Sequence, residues 1–389
     1  MKIYADENMP FVRQFFADLG EIQLVDGRTL TPAQIADADV LLVRSVTKVN
    51  ATLLAQNQQL KFVGTATIGV DHIDQPYLRE RGICFSSAPG CNAQSVVEYI
   101  LSSLFLLAEQ QQKPLQQWTV AVIGVGQIGA RLVSVLQALQ VNVLQCDPIR
   151  AQQEPDFAHV SYGDLLQQAS QGRVDALSFH VPLVTRGEHA TVAMLDADRL
   201  RRLPETVAVL NACRGEVTCN KALLAEAQAG VRRPLVLDVW ENEPNIATAL
   251  MPFCRIATAH IAGHSVEGKA RGTEMLYQAL CKMLNISEKC SIADFCPVPA
   301  MEMLQISANF SLSDVQNLCR MLYDVRRDDT LFRFHLQDKR QTAPAPQGFD
   351  WLRKHYPPRR EWSSLRLLPA TPADAIPEYL IKLGFSSQH

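Results

Sequence analysis

Short apolar runs alternate with longer stretches of helical periodicity through most of the chain. The runs are rich in Ile, Val, Leu and Phe, and amphipathic or turn-forming segments separate them. This rhythm favours βαβ units, in which helices connect the strands of a parallel sheet. The first group of predicted strands lies at residues 2–5, 22–25, 40–44, 62–66 and 83–86.

Pro89 and Gly90 interrupt this pattern, and the rhythm then starts again. Ser95 and Glu98 have the spacing of a capping box before an apolar run that ends at Ala108, so a long helix is predicted to connect two domains. The second group of predicted strands lies at residues 120–123, 141–146, 176–179, 207–210, 235–239 and 256–258. Six such strands in a row are typical of a dinucleotide-binding sheet.

The pattern changes near residue 290. The remaining sequence is richer in charge and proline, for example at residues 343–346, and apolar and polar positions alternate at 331–336 and 365–368. These features predict a small α+β domain after the two α/β regions.

Composition and charge exclude several classes of partner. The 389 residues suggest two or three domains, and a formal net charge of -3 provides no attraction to nucleic acid or an anionic membrane. The arginine pairs at 326–327 and 359–360 stand beside acidic residues, so ion pairs or interface contacts are predicted rather than nucleic-acid binding.

The cysteines and the N-terminus indicate the compartment. The ten cysteines lack the paired spacing of a zinc site or a disulfide framework, so buried reduced thiols and no metal are predicted. The N-terminal residues lack the apolar core of a signal peptide. The most apolar segment, residues 96–108, is too short to cross a hydrocarbon layer of about 30 Å. A cytoplasmic protein is therefore expected.

The sequence GVGQIG at residues 124–129 lies between a predicted strand and an amphipathic helix. In this context Gly124 permits a tight turn, Gly126 lets the backbone approach a pyrophosphate, and Gly129 lets the helix and strand pack closely. The motif alone is a weak signal, and a purely structural turn is the alternative. Its position in a strand–helix–strand unit favours a dinucleotide site.

Neighbouring residues predict which dinucleotide binds. Gln127 and Ile128 open the helix, whose N-terminus presents backbone N–H groups and a positive dipole end to phosphates. Asp147 ends the next predicted strand, where a carboxylate accepts hydrogen bonds from the adenosine ribose and would repel a 2′-phosphate. NAD is therefore predicted rather than NADP, although Arg150 nearby could hold a 2′-phosphate.

Three residues of different chemical kinds follow later strands: Arg214 in NACRG, Glu243 in DVWENEP and His260 in HIAG. The carboxyl ends of parallel strands are where α/β sheets bind ligands. Oxidation of a 2-hydroxy acid needs a base for the hydroxyl proton, which suits His260, and a cation for the carboxylate, which suits Arg214. Glu243 would orient the imidazole and favour its protonated form. Each residue alone has an ordinary structural interpretation, but the ordered set predicts catalysis.

The glycine-rich turn followed by NACRG, DVWENEP and HIAG resembles the D-isomer-specific 2-hydroxyacid dehydrogenase family. The resemblance implies two flavodoxin/Rossmann-like, doubly wound parallel-sheet domains, with the active site in the cleft and the cofactor on the second domain. It implies that Arg214, Glu243 and His260 are catalytic. The expected domains are residues 1–93, with 265–285 returning, and 94–264.

Further motifs resemble one branch of that family, whose members act on a phosphorylated 2-hydroxy acid. They are DENMP at 6–10, VRSVTK at 43–48, GTATIGVDH at 64–72, APGCN at 88–92, DVRRDD at 324–329 and REWSSL at 360–365. This resemblance implies a third, α+β domain at residues 286–389 that mediates homodimerisation.

The resemblance also implies further binding residues. Those implied to contact the cofactor are Asp147, Asp238 and Gly263, and those implied to contact the substrate are Ser45, Thr67 and His264. Val181 stands where a Thr is usual, so only a backbone contact to the cofactor could remain, and His264 stands where a Tyr is usual but could still bond the phosphate. From chemistry alone, Arg44 and Lys48 are candidates to hold the phosphate because they flank Ser45, and two solvated loop charges are the alternative.

Two other functions stay open at this point. One is the same chemistry on D-3-phosphoglycerate or another D-2-hydroxy acid. The other is a non-catalytic protein that binds NAD to sense redox state, as some corepressors of the family do. The intact Arg214, Glu243 and His260 set argues against the second.

Overall fold

The computed structural model describes residues 1–337, 345–371 and 374–387. The strands are β1 Lys2–Asp6, β2 Glu21–Val25, β3 Val40–Val43, β4 Phe62–Thr65, β5 Cys84–Ser87, β6 Thr119–Ile123, β7 Asn142–Cys146, β8 Ala176–Phe179, β9 Ala208–Asn211, β10 Leu235–Leu237, β11 Ile256–Ala257, β12 Met303–Gln305 and β13 Arg366–Leu368. Each predicted strand of the two α/β regions is present, with ends that differ by at most two residues.

Helices connect these strands. The α-helices are α1 Val12–Phe16, α2 Gln75–Glu80, α3 Ala93–Gln110, α4 Gln127–Ala138, α5 Pro148–Gln153, α6 Tyr162–Ser170, α7 Ala197–Arg201, α8 Asn220–Gln228, α9 Val266–Leu284, α10 Val315–Leu322, α11 Val325–Gln337, α12 Ala345–Lys354 and α13 Glu378–Leu383. Short 3-10 helices lie at Pro32–Ile35, Leu115–Gln117, Gly215–Val217, Thr248–Phe253, Ile292–Asp294 and Trp362–Ser364.

The chain divides into two compact units. The first contains Met1–Asn92 and His264–Val298, and the second contains Ala93–Gly263 and Pro299–His389. The predicted boundary at residue 286 differs from this division. Ile292 and Phe295 pack against the apolar cluster of the first unit, so the chain leaves that unit later than expected.

The first unit is built on a parallel five-stranded sheet with the order β2-β1-β3-β4-β5. Successive side chains of a strand point to opposite faces, and β1 shows this directly. Ile3 packs in a cluster with α1 and α9, whereas Tyr4 packs in a separate cluster that includes Ile35. Both faces are therefore covered, which explains the nearly continuous apolar runs in the sequence.

The second unit contains a parallel six-stranded sheet with the order β11-β10-β9-β8-β6-β7. The chain starts at β6, adds β7 on one side and then adds β8 to β11 on the other. The strand order therefore reverses between β6 and β8, and ligands of open α/β sheets bind beside such a reversal. The predicted pair of doubly wound α/β domains is confirmed.

Two local predictions were wrong. Helix α3 begins at Ala93, so Ser95 lies inside it rather than at its N-cap. Ser95 and Glu98 are fully buried and bond the C-terminal region instead: Ser95 Oγ donates to Glu361 Oε1 at 2.9 Å, and Glu98 Oε1 accepts the Trp362 N–H at 2.8 Å. A pair at capping-box spacing thus serves tertiary packing.

The alternating stretch at 331–336 forms part of helix α11, where Phe332 is buried and Phe334 is exposed, rather than a strand. The stretch at 365–368 overlaps β13, which pairs in parallel with β12. Of the proline-containing stretch at 343–346, residues 343–344 lie outside the described residues.

The remaining compositional predictions have mixed outcomes. All ten cysteines are free thiols, and six are buried, but Cys84 is exposed. The predicted arginine ion pairs are present. Arg326 Nη2 lies 2.5 Å from Asp324 Oδ2, and Arg359 Nη2 lies 3.5 Å from Glu98 Oε2. No helix within the described ranges is long and apolar enough to cross a membrane.

Candidate active site

The turn between β6 and α4 is shaped by glycines that have different neighbours. Gly124 has a φ of 86°, and a Cβ there would lie 2.7 Å from the His180 carbonyl carbon and oxygen. A Cβ on Gly129 would lie 1.9 Å from the Gly124 oxygen. A Cβ on Gly126 would meet no heavy atom within 4 Å. Close packing therefore requires glycine at positions 124 and 129, whereas at Gly126 the backbone is open to a ligand.

Asp147 follows β7 and ties its loop to the glycine turn. Its Oδ2 accepts the Val125 N–H at 2.9 Å, and its Oδ1 accepts the Arg150 N–H at 3.0 Å. The Arg150 side chain bonds both carboxylate oxygens of Glu154, at 2.9 and 3.0 Å, and its guanidinium lies 4.6 Å from the Phe157 ring centroid. The cation that could have favoured NADP is thus already paired with a carboxylate.

The residues of this turn fit a dinucleotide. Gln127 and Ile128 form the first turn of α4, so their backbone N–H groups face the N-terminal end of that helix. The open backbone at Gly126 precedes them, and the Asp147 carboxylate stands at the end of the neighbouring strand. Which of these groups contact the cofactor stays a prediction.

The predicted contact between His260 and Glu243 is present. His260 Nδ1 lies 2.7 Å from Glu243 Oε2, and the second oxygen, Oε1, accepts the Trp240 N–H at 2.9 Å. Burial pushes the pKa of Glu243 upward, but the positive charge and hydrogen bond of His260 outweigh it, so the pKa lies below its ordinary value. The carboxylate is therefore ionised, and His260 Nε2 is left for a reacting group.

We define the catalytic loop as residues 258–262, and Asp238 organises it. The Asp238 Oδ1 accepts the Thr258 hydroxyl and the Ile261 N–H, both at 2.7 Å, and its Oδ2 accepts the Ala262 N–H at 2.9 Å. Burial raises the pKa of Asp238. These bonds hold His260 at a φ of 56°, a left-handed conformation that a non-glycine residue adopts at some cost. The implied contact of Asp238 with cofactor stays a prediction, as does that of Gly263.

Arg214 lies in a turn that packs on the loop carrying Glu243. Asn211 Nδ2 donates to the Arg214 carbonyl at 2.9 Å and fixes the turn. A Cβ on Gly215 would lie 2.0 Å from the Trp240 carbonyl carbon and oxygen, so the two loops pass in close contact. The structure thus brings together the turns of Arg214 and Glu243. That the guanidinium faces the same substrate carbon as His260 stays a prediction.

His180 was not among the predicted site residues. This residue follows β8, is buried, and bonds Ser178 Oγ through Nε2 at 2.8 Å. Its Nδ1 has no hydrogen-bond partner among the described residues, and burial lowers the pKa of the ring to about 4. The ring is therefore neutral, and the backbone carbonyl of His180 lies against the Gly124 turn. Its position directly after a predicted strand was the signal that could have found it.

The predicted substrate residues belong to the first unit. Arg44, Ser45 and Lys48 follow β3, and Ser45 and Lys48 are exposed. Thr67 follows the neighbouring strand β4, where its hydroxyl lies 2.8 Å from Thr65 Oγ1 and donates to the Gly69 carbonyl at 2.9 Å. His264 is buried and directly precedes Ser265, the N-cap of α9.

Two family models match parts of this chain. The family model described as "D-isomer specific 2-hydroxyacid dehydrogenase, NAD binding domain" matches residues 105–264, which confirms the predicted NAD-binding domain. A model described as a domain of unknown function matches residues 295–384.

Solved structures share the fold. A D-lactate dehydrogenase from Aquifex aeolicus, complexed with NAD and lactic acid, has a TM-score of 0.61 and 23% identity, covering 73% of this chain and 96% of that one. An NAD⁺-bound 3-phosphoglycerate dehydrogenase from Entamoeba histolytica has a TM-score of 0.61 and 19% identity, with coverage of 73% and 95%. At such identities the likeness concerns the fold alone.

Curated relatives match nearly the whole chain. The erythronate-4-phosphate dehydrogenase of Pseudoalteromonas translucida is 50% identical over 367 residues, which is 94% of this chain and 95% of the relative. The enzyme of the same name from Colwellia psychrerythraea is 47% identical over 405 residues, which is 99% of this chain and all of the relative. This chain therefore belongs to the erythronate-4-phosphate dehydrogenases, a branch of the D-isomer-specific 2-hydroxyacid dehydrogenase family.

Proposed function

We propose that this protein oxidises 4-phospho-D-erythronate to (R)-3-hydroxy-2-oxo-4-phosphooxybutanoate with NAD, a step toward pyridoxal 5′-phosphate. The observation that carries the chemistry is the 2.7 Å contact between His260 Nδ1 and Glu243 Oε2. The choice of substrate rests on relatives of that name that are 50% and 47% identical to this chain.

His260 acts as the general base. With Nδ1 held by Glu243, the neutral ring accepts the proton of the C2 hydroxyl at Nε2, and Glu243 stabilises the imidazolium that forms. Arg214 binds the substrate carboxylate, because a planar guanidinium pairs with a carboxylate through two hydrogen bonds. The C2 hydroxyl thereby gives its proton to His260, and the C2 carbon would give its hydride to bound NAD, leaving a C2 carbonyl.

NAD, when bound, supplies the hydride acceptor. The glycine turn and the first N–H groups of α4, from Gln127 and Ile128, would hold its pyrophosphate, since a helix N-terminus favours negative charge. Asp147 would accept hydrogen bonds from the hydroxyl groups of its adenosine ribose. Asp238 and Gly263 complete the cofactor contacts.

On the first unit, we assign the substrate contacts to Ser45, Thr67, His264 and Arg44. Their hydroxyl, imidazole and guanidinium groups are suited to a phosphorylated hydroxy acid, because each donates hydrogen bonds to phosphate or carboxylate oxygens. Lys48 is a further candidate for the phosphate.

Turnover of pure enzyme tests this function. With 4-phospho-D-erythronate and NAD⁺, we expect NADH to form and its absorbance to rise, and we expect D-3-phosphoglycerate to react at least about a hundred-fold less well in kcat/KM. Faster reaction with D-3-phosphoglycerate would favour that substrate instead. NADH binding without any substrate-dependent turnover would favour a redox-sensing protein.

We further propose a homodimer formed through the C-terminal segment, which we define as residues 299–389. Large apolar side chains are exposed there, including Met303, Phe334 and Trp351 at 50%, 55% and 47%. Large apolar side chains left exposed in one segment are typical of an interface. Light scattering should give twice the mass of 43.2 kDa, and Phe334→Asp with Trp351→Asp should halve it.

A cytoplasmic location belongs to the same proposal. It rests on the ten cysteines, none of which forms a disulfide, as is usual in a reducing compartment. Cell fractionation, with NADH formation as the assay, would test it.

A further inference from the structure

The C-terminal segment bonds the chain directly before the catalytic loop. Asp329 on α11 accepts the Ala257 N–H with Oδ1 at 2.8 Å, and its Oδ2 accepts Arg333 Nε at 2.8 Å. Arg333 then donates to the carbonyl oxygens of Met251 and Cys254, both at 2.9 Å. This pair of side chains thereby fixes β11, the edge strand of the sheet, three residues before His260.

The same segment bonds the far end of the loop. Arg359, which is 3% exposed, donates from Nη1 to the Ala262 carbonyl at 3.3 Å. Its guanidinium carbon lies 3.9 Å from the centroid of the Tyr323 ring, and it pairs with the buried Glu98 at 3.5 Å. The cation is therefore held from several sides, two residues beyond His260.

A third contact reaches the partner of His260. Phe332 on α11 stacks on Trp240, with ring centroids 5.7 Å apart and an interplanar angle of 23°. Trp240 donates its backbone N–H to Glu243 and its Nε1–H to the Thr258 carbonyl at 2.8 Å. One aromatic contact thus supports both the Glu243 loop and the start of the catalytic loop.

We propose that the C-terminal segment positions the His260–Glu243 pair, with Asp329 and Arg359 as its positioning residues. The proposal rests on the proposed role of His260 as base. A left-handed backbone at His260 persists where its surroundings over-determine it, and the segment supplies part of those surroundings. The role is distinct from dimerisation, because every contact named here lies within one chain.

Kinetics of full-length Asp329→Ala test the proposal. We expect kcat to fall roughly ten- to a hundred-fold, because small misplacements of reacting groups are costly. The affinity for NADH, followed by its fluorescence, should change less than about two-fold, because these contacts lie away from the glycine turn. The matched control is Arg320→Ala, which removes a 2.6 Å ion pair between α10 and Glu109 on α3 and touches neither loop. It should leave kcat and KM unchanged.

A double-mutant cycle separates positioning from general loosening. In a Glu243→Gln background the pair is already weakened, so Asp329→Ala should cost at least about three-fold less in kcat than it does in the wild type. An equal cost in both backgrounds, or a loss of NADH affinity as large as the loss of kcat, would overturn the proposal. If Asp329→Ala does not fold, Arg333→Gln is used in its place. This variant keeps the bond between Asp329 and Ala257 but releases the carbonyl groups of Met251 and Cys254.

A measurement that does not depend on turnover distinguishes failure of the positioning role from failure of the proposed function. In protein with isotope-labelled histidine, assigned by comparison with His260→Ala, the imidazole signal of His260 should move in Asp329→Ala toward its position in Glu243→Gln. An unmoved signal contradicts positioning even if turnover falls. If the wild type oxidises no phosphorylated hydroxy acid but the signal moves, the proposed function fails and the positioning role stands.

Discussion

The glycine turn and the catalytic loop hold their backbones in different ways. At the glycine turn, the tight geometry comes from close backbone packing, because Gly129 lies against Gly124 and Gly124 lies against the His180 carbonyl. At the catalytic loop, the backbone of His260 is held by Asp238, and the loop ends are held by Asp329 and Arg359. Both sites follow strands of one sheet, but the turn is shaped by steric packing of its glycines and the loop by side-chain hydrogen bonds from distant residues.

This difference predicts that the two sites respond differently to mutation. A closely packed turn depends on the size of its side chains, so adding a methyl group should damage it. A loop held by remote hydrogen bonds depends on groups elsewhere in the chain. Its function can therefore be changed by residues that never contact the substrate.

The largest effect is expected at the base itself. His260→Ala should lower kcat by roughly a thousand- to ten-thousand-fold, because it removes proton transfer in the rate-determining chemistry. NADH binding should be retained, since the glycine turn is unchanged. Near-normal turnover with intact NADH binding would show that His260 is not the base.

The glycines provide a matched pair. Gly129→Ala should destabilise the protein by about 3 kcal/mol, because its Cβ would lie 1.9 Å from the Gly124 oxygen. Gly126→Ala should leave the unfolding free energy within about 0.5 kcal/mol of wild type, since no heavy atom surrounds that Cβ. Its NAD affinity should nevertheless fall about ten-fold or more. Urea unfolding measures the stability of each variant, and NADH titration measures its affinity. Equal stability losses in the two variants would contradict the steric role assigned to Gly129.

Weakening the contact between Glu243 and His260 should have a smaller effect on turnover. Glu243→Gln should lower kcat roughly ten- to fifty-fold, because an amide cannot stabilise the imidazolium as a carboxylate does. Oxidation needs the neutral ring, and losing the carboxylate disfavours the protonated ring. The low-pH limb of the kcat/KM profile should therefore move to lower pH. A profile that keeps its wild-type position would show that Glu243 does not influence the base.

The smallest effect concerns the remote network around Arg359. Burial, with Glu361 nearby, raises the pKa of Glu98 from its ordinary 4.5 to about 8, against the charge of Arg359. An acid with a raised folded-state pKa stabilises the protein fully below its unfolded pKa and loses that contribution as pH rises. The unfolding free energy should therefore fall by about 1 kcal/mol or more between pH 5 and pH 8.

Urea unfolding at both pH values measures this dependence. Glu98→Gln should lack that part of the slope, because an amide does not titrate. An identical slope in wild type and variant would show that Glu98 does not take up a proton on folding.

Part of this protein could be predicted from sequence because the signals are local. Apolar runs located every strand of both parallel sheets, and the spacing of Gly124, Gly126 and Gly129 identified the dinucleotide turn. The order of Arg214, Glu243 and His260 was also readable, because each follows a strand. In a parallel sheet such positions share one edge.

The errors arose where a local pattern had a tertiary purpose. Ser95 and Glu98 have capping-box spacing, but the helix starts earlier and both side chains bond the C-terminal segment. The alternation at 331–336 belongs to a helix, because its buried and exposed residues are sorted by packing against β11 and Trp240.

The sequence by itself determined the two sheets and indicated the NAD-binding turn and the candidate reacting groups, because periodicity, glycine sterics and residue chemistry act over short distances. Tertiary structure decided how those groups are held. The left-handed backbone at His260 is set by its surroundings, and the bonds from Asp329 and Arg359 join residues far apart in the chain. Such pairings depend on which surfaces meet when the elements pack, and no spacing along the sequence encodes them.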